Sequence, residues 1–504
     1  MSPNGGHFVL SEHLPAVIVV APMLAATLVA MVRHNSFAWA FSLIVAWSLP
    51  VFSALLLLQV LDGSVTSYAL GGWKPPFGIE YRVDIVNALT LLLVSSIGAV
   101  VMPYALRSVA RDLDGANEHW FYSIYLLCLC GLLGMTVSGD AFNIFVFMEI
   151  SSLATYVLIA MGRRREALLS AYQYLIMGTI GATLYVLGVG LLYIVTGSLN
   201  LADIAERIGP AMSDHSRPIM AALAFILVGI SLKLALFPLH VWLPNAYAFA
   251  PSFATIFLAA TATKVAIYIL LRLYFSVFGV AISLSQLPVT EVILVLSLAA
   301  MFIASVLAIY EDRVARMLAY SSVAQIGYIT LGIAIANKAG LTGSIVHIVN
   351  HGIMKAALFA AVGAVAFRMG TDRLSQLGGI GNKMPLTMAA FVIGGLSIIG
   401  VPGTVGFISK WYLGVGAMEI GWWPIVLAMM ASSLIAVIYI GRVIEVAYFR
   451  PLSEKCTNAK EPPLSMLAPI IILALATVYF GLETSWTGEI AGKAAEQLLG
   501  GLKQ

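Results

Sequence analysis

Five charged side chains sit where charge is expensive. Lys233, Lys264, Lys355 and Lys410 each fall inside a long apolar stretch, and so does Glu149, in Phe147-Met148-Glu149-Ile150. An ammonium at the middle of a bilayer costs about 2.5–3.5 kcal/mol on insertion scales, so four of them are not expected by chance. Amine and carboxylate both carry protons, one on nitrogen and the other on oxygen. Glu149 therefore reads as a protonatable or charge-tuning group on an ion path. The plain alternative is a structural counter-ion for a buried lysine. The two readings overlap, because a buried ion pair can also work as a switch.

Two histidines join the set. His347, His351 and Lys355 are spaced i, i+4, i+8, which stacks them on one helix face over about two turns. Imidazole both accepts and donates a proton near neutral pH, so the stack suits a proton relay. H-x-x-x-H spacing also suits a metal. No carboxylate or cysteine accompanies it on this helix, however, and the lysine would repel a cation, so no metal is expected. The three cysteines, Cys128, Cys130 and Cys456, cannot build a disulfide framework and read as packing residues. There is no Walker A loop, dinucleotide fingerprint, CxxC pair or nucleophile–base set, and the glycines of Gly378–Gly381 follow no strand. No cofactor is expected, and no enzyme in its own right.

The elements that hold these residues are interrupted at two places. Pro238 and Pro244 follow Lys233 closely, and Gly400, Pro402, Gly403 and Gly406 precede Lys410. Proline removes a donor and clashes with the preceding turn, so each helix should break there. Broken backbone at membrane depth is tolerated only inside protein or beside a wet cavity. A pair of such segments in corresponding halves points to a transport path. The break follows the lysine in one segment and precedes it in the other, which is compatible with an inverted repeat of about five helices.

Composition sets the frame. Of 504 residues, 61% are hydrophobic and 10% charged, with 27 basic and 24 acidic side chains and a mean hydropathy of +0.96. A soluble domain carries about 25% charged residues, so a soluble enzyme, a nucleic-acid binder and a disordered chain are excluded. The net charge of +3 is too small to imply a polyanionic partner. A helix needs about 20 apolar residues to cross the hydrocarbon. That rule predicts fourteen spans: 14–32, 36–61, 83–106, 120–138, 141–161, 170–196, 217–239, 246–275, 290–310, 317–337, 341–368, 386–414, 422–448 and 463–482. The expected fold is an all-α polytopic membrane protein. The amphipathic segment 199–208 is expected to lie at the surface, and residues 1–13 carry no basic signal-peptide start, so the first span is expected to be uncleaved. One set of alternating loops holds 15 Lys and Arg residues, with Arg163, Arg164 and Arg165 together in one of them. The other set, with both termini, holds 7. The richer side should be cytoplasmic and both termini outside. Of the five remaining basic residues, Arg272 lies near a helix end and is expected to snorkel; the other four are the lysines above.

These motifs resemble the proton-translocating, antiporter-like subunits shared by complex I, membrane-bound hydrogenases and Mrp-type multisubunit cation/proton antiporters. The resemblance rests on FMEI with Glu149, Lys233 followed by FPLHVWLP, ATATKVAIY with Lys264, HIVNHGIMK and GVPGTVGFISK, in the family's order over roughly residues 80–450. Within the family the chain is most similar to the D-type subunit of Mrp antiporters, by its length, PLHVWLPNAYAFAPS and Lys410. The resemblance implies two inverted five-helix repeats at 120–275 and 290–448, with helices 1–3 in 1–110 before them and a last helix with a short tail in 460–504 after them. It implies a Glu149–Lys233 pair, a central Lys264, a polar axis continued by His347, His351 and Lys355, and a terminal Lys410. It implies partner membrane subunits in a bacterial inner membrane, with protons and Na+ or K+ as cargo. The position matching Glu149 in the second half falls near Gln325, where no acid stands. Redox-driven pumping in a complex I-like or hydrogenase-type assembly remains open, as do a bicarbonate-uptake partner and a non-conducting scaffold whose buried charges only fix helix packing.

Overall fold

The computed structural model describes residues 10–113, 117–279 and 288–500. The first two helices, α1 (Leu10–Val32) and α2 (Asn35–Val60), are followed by a two-stranded antiparallel hairpin, β1 (Thr66–Ala69) and β2 (Glu80–Val83), with Thr66 opposite Val83. A capping box starts α3 (Ile85–Asp112). The Asp84 carboxylate accepts from the Val86 and Asn87 amides, and the Asn87 side chain accepts from the Asp84 amide. Next come α4 (Glu118–Val137), α5 (Ala141–Ala160), capped by Asp140, and α6 (Arg165–Thr196). The chain continues through α7 (Leu201–Leu234), α8 (Leu243–Phe249), α9 (Ser252–Val277), α10 (Val289–Tyr310), α11 (Val314–Ile335) and α12 (Lys338–Met369). It ends with α13 (Pro385–Ile399), α14 (Val405–Glu419), α15 (Trp423–Phe449), α16 (Leu464–Leu482) and α17 (Ser485–Leu499).

Among the described residues, thirteen helices are long and apolar enough to cross a membrane. The 15-residue helices α13 and α14 together make a fourteenth crossing in two halves. The all-α polytopic architecture and the fourteen crossings agree with the sequence reading. Burial sorts the helices into an inner and an outer group. The spans of α9, α11 and α12 are 94% buried within the chain, whereas those of α2 and α15 are 33% buried and turn apolar side chains outward, as lipid-facing helices must. The inner α12 packs against α9, α11, α13, α14, α16 and α17. Its approach to α9 needs a small residue: a Cβ on Gly352 would stand 3.1 Å from the Ala260 carbonyl oxygen and 3.0 Å from Leu93.

Segment 199–208 is the start of an amphipathic helix at the surface, with Leu201, Ile204 and Ile208 buried and Glu206 and Arg207 exposed, and a non-helical kink at His215 sets it off from the span that follows in α7. Several expectations are corrected. The span expected at 246–275 is two helices, α8 and α9, parted at Ala250–Pro251. The C-terminal segment carries a further helix, α17, whose stripe of Ile490, Ala491, Ala494, Ala495 and Leu498 is buried. The all-α reading also missed the small hairpin. Residues 1–9 and 501–504, including Lys503 of the charge census and most of the expected signal-free N-terminus, lie outside the described residues.

Candidate functional site

Both helix breaks form where the proline and glycine residues placed them. Helix α7 ends at Leu234, Ala235 turns with φ 58°, and the chain passes Pro238 before Pro244 opens α8. Helix α13 ends at Ile399, and Gly400 takes φ 93°, a left-handed turn that favours glycine. Pro402 and Gly403 cross the gap, and Gly406 lies in the first turn of α14. A helix end carries last-turn carbonyls without intrahelical partners and the negative end of the helix dipole; at α7 the Ser231 and Leu232 carbonyls accept from Leu236, Ala235 and Trp242. Lysine meets both ends. Lys233 is in the last turn of α7, and Lys410 folds back so that its Nζ donates to the carbonyls of Ile398 and Ile399, both at 2.9 Å. Its third donor goes to Ser433 Oγ at 2.8 Å, and the ammonium lies 4.6 Å from the Tyr328 ring centroid.

At the other end, Lys233 Nζ is 3.7 Å from Glu149 Oε1 and donates to Ser152 Oγ at 2.6 Å. The lysine side chain is 6% exposed and the glutamate 27%, and the Glu149 Oε1 that faces the ammonium is buried. A cavity of about 30 Å³ adjoins Lys233, lined by Ser151, Ser152, Thr155 and Tyr174 and reaching Ala262 and Ala266 on α9. That is room for about one or two water molecules among hydroxyls. It opens towards the helix that carries Lys264.

Lys264 is fully buried on α9, its Nζ donating to the Ala259 carbonyl at 2.5 Å and facing Thr263 Oγ1 at 3.4 Å. It lies within electrostatic reach of His347, His351 and Lys355. On α12 those three are fully buried on one face, as their spacing predicted. The rings of His347 and His351 lie nearly parallel, 5.8 Å apart with 4° between planes. His347 contacts Ser409 Oγ at 2.6 Å through Nδ1 and Gln325 Oε1 at 3.0 Å through Nε2, linking α12 to α14 and α11. His351 finds no hydrogen-bond partner for either nitrogen among the described residues. Lys355 donates to the Leu318 carbonyl at 2.7 Å and to Ser321 Oγ.

The seven predicted proton-transfer residues are thus buried or part-buried in one run from α5 to α14, whereas the break residues Pro238 and Pro402 are exposed, and each lysine is held by carbonyls and hydroxyls rather than left bare. The groups are of a kind that takes up and releases protons, and neutral hydroxyls lie between them. The sequence reading missed Gln325, Ser152, Ser321 and Ser409 as partners, because lone hydroxyls and amides in apolar helices carry no periodic signal. It also misplaced Arg272. This residue does not snorkel: its side chain is 5% exposed and Nη2 lies 2.7 Å from the Asp84 carboxylate, itself 2% exposed.

Residues 138–436 match the family model described as NADH:quinone oxidoreductase/Mrp antiporter, TM. The chain belongs to this family. The matched region holds every residue from Glu149 to Lys410. The N-type subunit of the NADH-quinone oxidoreductase of Desulforudis audaxviator is 41% identical over 94% of this chain and 96% of its own. The D-type subunit of the Na(+)/H(+) antiporter of Alkalihalophilus pseudofirmus is 27% identical over 96% of both. Among solved structures, one polypeptide of the Mrp complex from a Dietzia species superposes with a TM-score of 0.88 at 26% identity, covering 98% of both chains. The chain is therefore a membrane subunit of the Mrp antiporter and complex I-like class.

Proposed function

We propose that this chain is a proton-translocating subunit of a multisubunit monovalent cation/proton antiporter. The carrying observation is the burial of Lys233, Lys264, His351, His347 and Lys355 between a part-buried Glu149 and a part-buried Lys410, in one polar run through an otherwise apolar molecule. A nearby carboxylate favours a protonated lysine and burial disfavours it. Parting Glu149 from Lys233 makes Lys233 a better proton donor, and the hydroxyl-lined cavity beside it leads the proton towards Lys264. Charge then moves through His351 and Lys355 to His347 and Lys410. Na+ or K+ leaves as protons come in, within an assembly of partner membrane subunits.

The two five-helix units, 120–275 and 290–448, are read as inverted repeats that each contribute one broken helix. The arginine-rich loops face the cytoplasm of a bacterial cell and both termini face outward. Replacing Lys233 with Ala tests the reading in everted vesicles. Coupled transport is lost while the complex still assembles; full retained transport overturns it. A second reading has its own support: the relative at 41% identity is named for NADH-quinone oxidoreduction. The same axis would then be driven by redox chemistry in partner chains. Purification in mild detergent separates the two, since small antiporter subunits co-purify in one case and dehydrogenase or hydrogenase subunits in the other.

A further inference from the structure

Helix α9 carries a second polar ladder that the proton path above does not use. Lys264, Tyr268 and Arg272 are spaced i, i+4, i+8 and share one face. The Tyr268 hydroxyl accepts from Asn87 Nδ2 at 2.7 Å, and Asn87 Oδ1 accepts from Arg272 Nη2 at 2.8 Å. Arg272 Nη2 also reaches the Asp84 carboxylate at 2.7 Å, and its other arm faces Ser276 Oγ at 3.4 Å. The hydrogen-bonded ladder runs from Tyr268, one turn beyond the central lysine, to the start of α3, just beneath the β-hairpin on the arginine-poor side of the molecule. With a titratable group in place of Arg272, it would be a route for protons between Lys264 and that side.

We infer that the buried Asp84–Arg272 pair is a seal: it closes Lys264 off from direct exchange with the arginine-poor face, so that protons reach and leave the central lysine only along the axis or from the opposite face. The inference rests on the proton-transfer reading proposed above. Its chemistry is specific to the guanidinium. Arginine has donors but no acceptor and does not give up its proton in proteins, so it cannot pass one along. Its fixed charge also repels a hydronium or metal cation, the device by which a pore arginine excludes protons. Water cannot bypass it readily. The gap beside Tyr268 holds about 10 Å³ between Val86, Leu89, Leu271, Ile345 and Ile348, at or below the size of one water.

The other end of α9 is different. A cavity of about 210 Å³ opens there among Ser252, Thr255, Asp112, Asp372 and Tyr247, and its wall includes Phe359. The Phe359 ring centroid is 5.9 Å from Lys355 Nζ. Thr255 lies one turn from Ala259, whose carbonyl holds Lys264. One end of the helix carries a roomy polar cavity that reaches within a turn of the carbonyl holding Lys264, and the other has only a gap of about 10 Å³ beside an arginine that cannot relay.

The test is passive proton permeability of the whole complex in proteoliposomes, with an internal pH dye, an acid pulse and no driving cation gradient or electron donor. Arg272→Gln raises the leak several-fold, and adding Lys264→Ala to the same complex returns it to baseline. An unchanged leak in assembled Arg272→Gln complex, or a leak that persists without Lys264, overturns the seal and leaves the pair as a tie between α3 and α9. If Arg272→Gln does not assemble, Arg272→Lys carries the test. It keeps the charge but can release a proton, so a Lys264-dependent rise supports the seal and no rise overturns it. The single Lys264→Ala variant, assayed for coupled transport in the same liposomes, separates the two ideas. Lost transport without an Arg272 leak sinks the seal alone, whereas retained transport sinks the proton-transfer reading.

Discussion

His351 differs from its neighbours in one respect. Lys264, Lys355 and Lys410 direct their ammonium donors at carbonyls or hydroxyls, and His347 is bracketed by Ser409 and Gln325, whereas both ring nitrogens of His351 are buried without a protein partner among the described residues. An unsatisfied buried polar group costs about 1–3 kcal/mol, so the residue is not there for stability. Replacing it with Leu should therefore leave the detergent-solubilised protein as thermally stable as the parent, or more so by about 1 kcal/mol, while proton flux in vesicles falls at least severalfold. A clear loss of stability with undiminished flux would make His351 a packing residue. The residues of the axis were legible in the sequence because charge is scarce there. Their hydroxyl and amide partners were not, since nothing in a lone serine or glutamine marks it as facing a lysine or histidine far along the chain. The Asp84–Arg272 pair escaped for the same reason: its members are 188 residues apart, and each alone looks like a helix-end charge.

The two broken helices do more than admit irregular backbone. The second presents the negative end of a half-helix to Lys410, and Gly400 makes this possible. Its φ of 93° is strained for any other residue, and a Cβ there would come within 3.0 Å of the Lys410 side chain. Gly400→Ala should cost about 1 kcal/mol or more in stability and displace Lys410 from the Ile398 and Ile399 carbonyls, so that flux falls more than stability does. Thermal unfolding and vesicle transport on the same preparation check this, and an alanine variant with parental flux would show that the turn does not position Lys410. Proline and glycine made the breaks readable in advance. Helix α17 was not readable, because it is short and carries Glu489, Lys493 and Glu496 among its small apolar residues. Its stripe gains meaning chiefly against α12, with α3 and the end of α9 beside it, contacts that no local pattern announces. The α7 kink at His215 likewise joins a surface-like segment to a span that hydropathy alone treats as separate.

Across the described residues, the thirteen long apolar helices were legible as apolar runs, because backbone groups facing lipid must be paired within a helix. The nesting of those helices was not. Helices α9, α11 and α12 are the inner ones although each reads in sequence much like the lipid-facing α2 or α15, apart from the lysines and histidines that α9 and α12 carry. Burying ionisable groups on the innermost helices is the arrangement expected of a conducting path and also of a scaffold pinned by charge, and the two differ at Lys264. This lysine sits on α9 between the cavity beside Lys233 and the stack on α12. The most direct measurement is proton flux per assembled complex in everted vesicles carrying Lys264→Ala. If the buried axis conducts, the complex assembles at the parental level and flux falls at least tenfold, which is about 1.4 kcal/mol on the transfer barrier. Poor assembly, with parental flux from whatever complex does form, would contradict it and leave the buried charges a packing device.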